Sequence, residues 1–325
     1  MLIDEKNCRI SAVIAVYNPN LEFFLRAVRS VLSQTYPVYE LILVNDGGDD
    51  SFMEVLPVDE RIKVYKKKNE GVAATRNAAI SHASGDYIAF LDQDDYWYQE
   101  KLSEQLSLIL KDEPVCMVTS PVEIISESGD LLQKKTRDAT RLYLKKGGSK
   151  SLFLSLLDGN CIYSSTPLIH KDVFARIRSF DSVTQPHDDW DMYLRIVMAD
   201  FPVHFYKKKA LSVWRVHLKN ESHKIGLMLR SKSAVEKKII QSSDDNVVIH
   251  YAELNLRVDI LERINIVYKC GHFLAFRRLV MSGALKPGLR YSGSFLTVVS
   301  EYEVYRRFRK KVIKTFRRYV VSFVR

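Results

Sequence analysis

The segment Ala89-Phe90-Leu91-Asp92-Gln93-Asp94-Asp95-Tyr96-Trp97 limits what this chain can fold into more than any other. Tyr87 to Leu91 is apolar throughout and reads as a buried strand, yet it runs straight into three carboxylates within four residues. Charges in that position belong at the carboxyl end of a strand, where open α/β sheets bind their ligands. Asp92 and Asp94 are two residues apart and, in extended backbone, project to one side, so they repel unless a cation joins them. Mg²⁺ meets that need with one or two carboxylates plus substrate phosphate oxygens. On these residues alone a solvated acidic turn is the plain alternative.

The preceding residues supply the sheet. Arg9 to Val16 and Tyr39 to Asn45 are near-continuous apolar runs, as expected of parallel strands buried on both faces. Arg61 to Lys66 reads as a further strand. Between them, Leu21, Phe24, Leu25, Val28, Val31 and Leu32 recur at helical spacing, and Gly71 to His82 is an Ala-rich helix carrying Arg76 and Asn77. Strands alternating with helices predict right-handed βαβ units and a mostly parallel sheet flanked by helices. Three strands end in polar clusters, 17–20, 46–50 and 92–95. Such clusters gather along one sheet edge and form a nucleotide-sized crevice.

The order Val16-Tyr17-Asn18, Val44-Asn45-Asp46-Gly47, Ala74-Thr75-Arg76-Asn77 and Gly85-Asp86 through Asp95 resembles the family 2 glycosyltransferases. These are inverting enzymes of the GT-A fold that use nucleotide-activated sugars. His187-Asp188-Asp189-Trp190-Asp191-Met192-Tyr193-Leu194-Arg195 resembles the family's acidic helix, and Trp214-Arg215-Val216-His217 its downstream aromatic-Arg-x-His segment. The resemblance covers about residues 8–220 and implies a Rossmann-like GT-A catalytic domain over 1–220.

It also implies roles. Asp92 leans to the ribose, and Asp94 to a divalent metal (Mn²⁺ or Mg²⁺) that Asp92 and His217 help to hold. Asp46 meets the base edge, with Tyr17 and Asn18 lining its pocket, and Arg76 neutralises the diphosphate. Asp189 is the general base, with Asp191 and Asp188 as rivals; Asp188 also suits a helix cap. The bland reading of this block is an acid-rich helix N-terminus, which the helix dipole favours in any case. Asp95 is expected to cap a helix whose first turn includes Trp97 to Gln99. Lys219 to Lys224 form a loop over the donor. Trp190 and Trp214 suit either a sugar face or the core. The implied reaction is inverting transfer from a nucleotide-diphosphate sugar, a UDP-sugar favoured, to a glycan or glycolipid hydroxyl in surface-polysaccharide assembly. A catalytically dead nucleotide-sugar-binding scaffold remains open, as does a sugar nucleotidyltransferase. The latter calls for a glycine-rich basic loop after the first strand, where Tyr17-Asn18-Pro19-Asn20 stands.

Charge sets the last third apart. The chain carries +10 overall, but residues 226–325 hold 20 Lys/Arg against 8 Asp/Glu and contribute the whole excess. From Val304 onward there are nine basic residues and no acidic one, beside Tyr305, Phe308, Val312, Phe316 and Phe323 on one helical stripe. The expectation is a helical, basic region over 221–325 ending in an amphipathic helix, 304–325, on an anionic membrane surface. Packing against the protein itself or a second subunit, as a homo-oligomer, is the alternative. No nucleic-acid-binding motif accompanies the cluster, so no nucleic-acid partner is expected. Cys8, Cys116, Cys161 and Cys270 have neither zinc nor disulfide spacing. Met1 to Lys6 lacks a signal-peptide layout and no run is long enough to span a bilayer. Together these predict a cytoplasmic enzyme held peripherally at the membrane, where Asn220-Glu221-Ser222 is a chance sequon.

Overall fold

The computed structural model of the chain describes residues 8–109, 115–148 and 152–256, apart from 247 and 254. In chain order the elements are β1 (Ile10–Val16), α1 (Leu21–Leu32), β2 (Glu40–Asn45), β3 (Ile62–Lys66), α2 (Val72–His82) and β4 (Tyr87–Asp92). Next come β5 (Tyr96–Trp97), α3 (Lys101–Ile109), β6 (Met117–Thr119), β7 (Val122–Ser126), α4 (Gln133–Gly147) and α5 (Leu152–Leu157). The remainder are β8 (Leu168–His170), α6 (Lys171–Ile177), α7 (Asp188–Met198), β9 (Val203–Phe205), β10 (Ser212–Val216) and α8 (Ile225–Ser242).

Seven strands form one sheet in the order β3-β2-β1-β4-β8-β6-β9. β1 lies between β2 and β4, parallel to both, and its sequence ISAVIAV is apolar on both faces because helices cover both. α1 begins where the Asn20 side chain accepts from the amides of Glu22 and Phe23, and it buries Phe24, Ala27, Val28 and Val31. Register places the chemistry: Val16 stands opposite Asn45, and Ala15 opposite Asp92. The turns after β1, β2 and β4 are therefore level, on one edge.

The short strand β8 runs antiparallel to β4 and β6, and β9 is parallel to β6. A second, three-stranded sheet, β5-β10-β7, stands beside the catalytic edge. Here one expectation fails. Asp95 does not cap a helix at residues 97–99: Tyr96 and Trp97 form β5, and the helix starts only at Lys101.

The chain divides into two compact units after His223, and α8 belongs to the second. The expected amphipathic helix at 304–325 and Cys270 lie outside the described residues. Cys8, Cys116 and Cys161 are free thiols. Among the described residues no helix is long and apolar enough to cross a membrane.

α4 is locked to the larger sheet. The Tyr143 hydroxyl donates to the Thr119 carbonyl at 2.8 Å, and the Tyr143 ring lies 4.9 Å from that of Phe205. Gly147 faces the same ring so closely that a Cβ there would come within 2.2 Å of it. Gly147→Ala must displace Phe205 and is expected to cost about 1–3 kcal/mol, as overpacking does, read as a lower denaturation midpoint in urea at unchanged slope.

Candidate active site

Three loops build the floor of the crevice. Asn18 adopts a left-handed φ of 40° after β1, and its Oδ1 accepts from the Asp49 amide at 2.9 Å. Gly48 passes so near that a Cβ would meet Asn18 Oδ1 at 2.7 Å. The Gln93 side chain clamps Tyr17 from both ends, accepting from its amide at 2.9 Å and donating to its carbonyl at 3.1 Å. Tyr17, Asn18 and the 92–95 turn thus share the edge, as the strand pattern requires. Asp46 is buried; its carboxylate accepts from Lys67 Nζ (2.9 Å) and from the amides of Glu70 (3.0 Å) and Gly71 (2.9 Å), just ahead of α2. A carboxylate offers about four acceptor positions, so little of Asp46 is left for another donor.

Arg76 joins the parts. It is buried on α2 and does not extend outward as a free cation. Its two terminal nitrogens donate to Asp92 at 2.7 Å and to Asp188 at 2.9 Å, and its guanidinium lies 5.3 Å from the centre of the Phe180 ring. Burial works against the charge, but Asp92 and Asp188 outweigh it and hold the guanidinium pKa above its ordinary value. One side chain so ties the end of β4 to the first residue of α7.

The two carboxylates expected to act as a pair part company. Asp92 takes Arg76 on one oxygen and the Ser164 hydroxyl on the other. Asp94 instead faces His217, with Oδ2 2.6 Å from Nε2, and Asn220 Nδ2 approaches the same oxygen at 3.5 Å. The Lys219 amide approaches the other ring nitrogen, Nδ1, at 3.2 Å. Asp95 turns inward and is buried, accepting from the Ser165 hydroxyl (2.7 Å) and the Arg215 amide (2.9 Å). Burial, then Asp94 and Asp92, push its carboxyl well above the usual range. Asp95 therefore braces β10 against the turn. Arg215 completes the brace, donating to the carbonyls of Asp94 and Glu127 and stacking 4.1 Å from the Phe23 ring.

α7 sorts its three acids. Asp188 points to Arg76 and makes no cap; His187 occupies that position. Asp191 is buried against Arg195 at 2.7 Å, whose guanidinium in turn holds the carbonyls of Ile177, Arg178 and Ser179. That is a structural post. Asp189 is half-buried, accepting from the Trp190 amide at 2.6 Å and facing Asn160 Nδ2 at 3.4 Å. Burial, then Asp188, push its carboxyl up to about 7, against the pull of Arg76. Trp190 belongs to the core, its indole N–H donating to the Leu156 carbonyl, whereas Trp214 lies half-buried 5.2 Å from the Tyr163 ring.

Sequence reasoning missed Gln93, Asn160, Ser164, Ser165 and Asn220. Gln93 stands inside the acidic turn but between the carboxylates that draw attention, and Asn160, Ser164 and Ser165 are small polar residues with no motif spacing. Asn220 was masked by its sequon, although it stands three residues after His217 and its side chain accepts from the His217 amide.

A mostly parallel sheet whose strand ends gather an Asp-x-Asp turn, a buried arginine and an acidic helix N-terminus defines a GT-A glycosyltransferase. The model of the family described as "Glycosyl transferase family 2" matches residues 11–178, just over half of the chain, and the chain belongs to that family. A Rickettsia conorii uncharacterized glycosyltransferase is 39% identical over 128 residues, 38% of this chain and 21% of that protein. The Bacillus subtilis teichuronic acid biosynthesis glycosyltransferase TuaG is 38% identical over 107 residues, 31% of this chain and 42% of that protein. The chain thus spans about a fifth of the length of the Rickettsia conorii relative and of two others, from Rickettsia felis and Rickettsia bellii. Among solved structures, the mannosyltransferase PcManGT from Pyrobaculum calidifontis, in complex with GDP-Man and Mn²⁺, superposes with a TM-score of 0.58 at 15% identity, covering 97% of this chain and 85% of that one. S. aureus TarS 1-349 in complex with UDP-GlcNAc does so with a TM-score of 0.57 at 15% identity, covering 90% and 80%. These two likenesses show the fold.

Removing Arg76 leaves Asp92 and Asp188 facing one another without a counter-charge. Arg76→Met is expected to cost about 3–5 kcal/mol in guanidinium unfolding. Arg76→Lys should recover only part of it, because an ammonium cannot fork between two carboxylates.

Proposed function

We propose that this glycosyltransferase moves one sugar, with inversion, from a nucleotide-diphosphate sugar to an acceptor hydroxyl, and that Asp189 is the general base. The observation that carries this reading is the environment of Asp189. Its carboxylate is the one acid of α7 that neither arginine claims, and its pKa of about 7 suits proton abstraction at neutral pH. Asn160 faces the same carboxylate and would orient it. As the acceptor oxygen closes on the anomeric carbon, Asp189 takes its proton, and the leaving diphosphate departs towards the Asp94 side of the crevice. The transition state resembles the oxocarbenium ion of glycoside hydrolysis, in which a carboxylate acts likewise.

Asp94 and His217 fit a divalent cation. One oxygen and one nitrogen donor converge from different elements, and both side chains retain some exposure. Among the described residues no group of three or more His, Cys, Asp or Glu is arranged to hold a metal ion. A two-donor site suits a hard cation that takes its other ligands from phosphate and water. Asp92, with both oxygens engaged, would contribute through Arg76. When bound, the cation would act as a Lewis acid on the diphosphate. Tyr17, Asn18 and the remaining acceptor position of Asp46 would receive the nucleoside, and a UDP-sugar is the favoured donor. PcManGT with GDP-Man and Mn²⁺ and TarS with UDP-GlcNAc support a nucleotide-sugar donor. TuaG, named for teichuronic acid biosynthesis, supports a glycan acceptor of a surface polysaccharide. A lipid-linked acceptor and attachment to the membrane through 304–325 complete the reading.

Asp189→Asn should lower kcat by roughly 10²–10⁴, with nucleotide binding retained in calorimetry. In the wild type, log kcat/KM should fall with unit slope as pH drops below about 7, because protonating Asp189 removes the base, and should be level above it. A flat profile through that range would remove Asp189 from the role.

In thermal-shift measurements with UDP, GDP, dTDP and CMP, one diphosphate should raise the melting temperature further when Mn²⁺ is present. Asp94→Ala should abolish the metal-dependent part, and a variant that keeps it would exclude Asp94 as a ligand.

A further inference from the structure

The outward face of α4 carries charge that the proposed chemistry does not use. Its sequence, QKKTRDATRLYLKKG, has six cations and one acid. Lys146 turns inward, where Nζ donates to the carbonyls of Ser155 and Gly159. Lys134, Lys135, Arg137, Arg141 and Lys145 are exposed together with Asp138. None of the five forms an ion pair among the described residues, whereas other exposed lysines, such as Lys66 and Lys209, face carboxylates.

The pattern is linear. Lys134, Arg137, Arg141 and Lys145 follow at intervals of three, four and four, which places them in one row along the helix. At 1.5 Å per residue the row is about 16 Å long. Apolar side chains border it: Leu142 is 41% and Leu144 38% exposed, and Leu131, just before the helix, is 47% exposed. A helix face built only for solubility mixes both signs of charge and hides its leucines. A row of four cations with one acid, Asp138, beside it and leucines on its flanks matches an interface with anionic headgroups above and acyl chains beneath.

We propose that the outer face of α4 docks on an anionic bilayer surface. The helix is held firmly enough to act as a fixed face: Tyr143 and Gly147 pack on Phe205, and the Thr136 hydroxyl accepts from the Ile124 amide. It also sits between two segments that touch the site. Ahead of it, the Glu127 carbonyl accepts from Arg215; beyond it, Asn160 faces Asp189. The docking does not rest on the proposed glycosyl transfer. The leucines favour a bilayer over a soluble polyanion, for which cations alone would suffice.

The test is co-sedimentation of the full chain with vesicles of phosphatidylcholine containing about one-third phosphatidylglycerol, against pure phosphatidylcholine. The wild type should partition to the anionic vesicles. The variant K134A/R137A/R141A/K145A should bind them at least about tenfold more weakly with an unchanged melting temperature, and L142S/L144S should also weaken binding. Repeating the comparison in a chain carrying R306A/R307A/K310A/K311A keeps the contribution of α4 visible if the C-terminal segment also binds lipid. Wild-type chain that ignores anionic vesicles, or a quadruple variant that binds as tightly as wild type in both backgrounds, would overturn the proposal. So would row-dependent binding to inorganic polyphosphate with vesicle binding untouched, which would assign the row to a soluble polyanion. Loss of nucleotide-sugar turnover with intact vesicle binding would count against the reaction and not against the docking face.

Discussion

The site depends on one buried guanidinium. Asp92, Asp188 and Asp189 come from two elements far apart in sequence, and their mutual repulsion would push β4 and α7 apart without Arg76 between them. A buried ion pair adds little net stability compared with an apolar core, because desolvation offsets attraction. What it adds here is position. Two donors in a rigid plane fix two carboxylates at once, and with them the entry of α7 into the site.

Environment then gives similar side chains different tasks. Of the six aspartates in the 92–95 turn and α7, Asp92 and Asp188 serve Arg76, while Asp191 serves Arg195. Asp95 is held by a hydroxyl and an amide in surroundings that favour its neutral form, so it works as a strut. Asp94 keeps a histidine and Asp189 keeps an amide and an asparagine, which leaves these two open to chemistry. Charged partners fix some carboxylates for structure; burial and the neighbouring Asp188 raise the proton affinity of Asp189 into a useful range.

Much of this was legible because it is written in long signals. β1, β2 and β4 are mostly apolar strands of six or seven residues, α1 has a full helical stripe, and the three strand-end clusters did converge on one edge. The antiparallel β8 and the pairing of β5, β7 and β10 into a small sheet were not foreseen; β8 and β5, with three and two residues, leave no periodicity to read. Period-two reasoning on Asp92 and Asp94 failed for a definable reason: the extended backbone ends at Asp92, and the next residues turn, so the two side chains no longer share a face. Arg76 was expected to face the diphosphate, yet nothing local announces partners sixteen and 112 residues away. Trp190 could not be divided between core and sugar until its indole was seen to donate to Leu156.

The separation between Arg76 and its second partner has a consequence for how the protein is made. Asp188 lies 112 residues after Arg76, Arg215 lies 120 after Asp95, and His217 lies 123 after Asp94. At a synthesis rate of about 5–20 residues per second, each early residue waits on the order of ten seconds for its counterpart to leave the ribosome. The strands β1 to β4 can pair in that time, since their contacts are closer in sequence, but the crevice cannot assemble. A half-synthesised chain would therefore present a sheet without a working site, and competence would arrive only with the last strand of the catalytic unit.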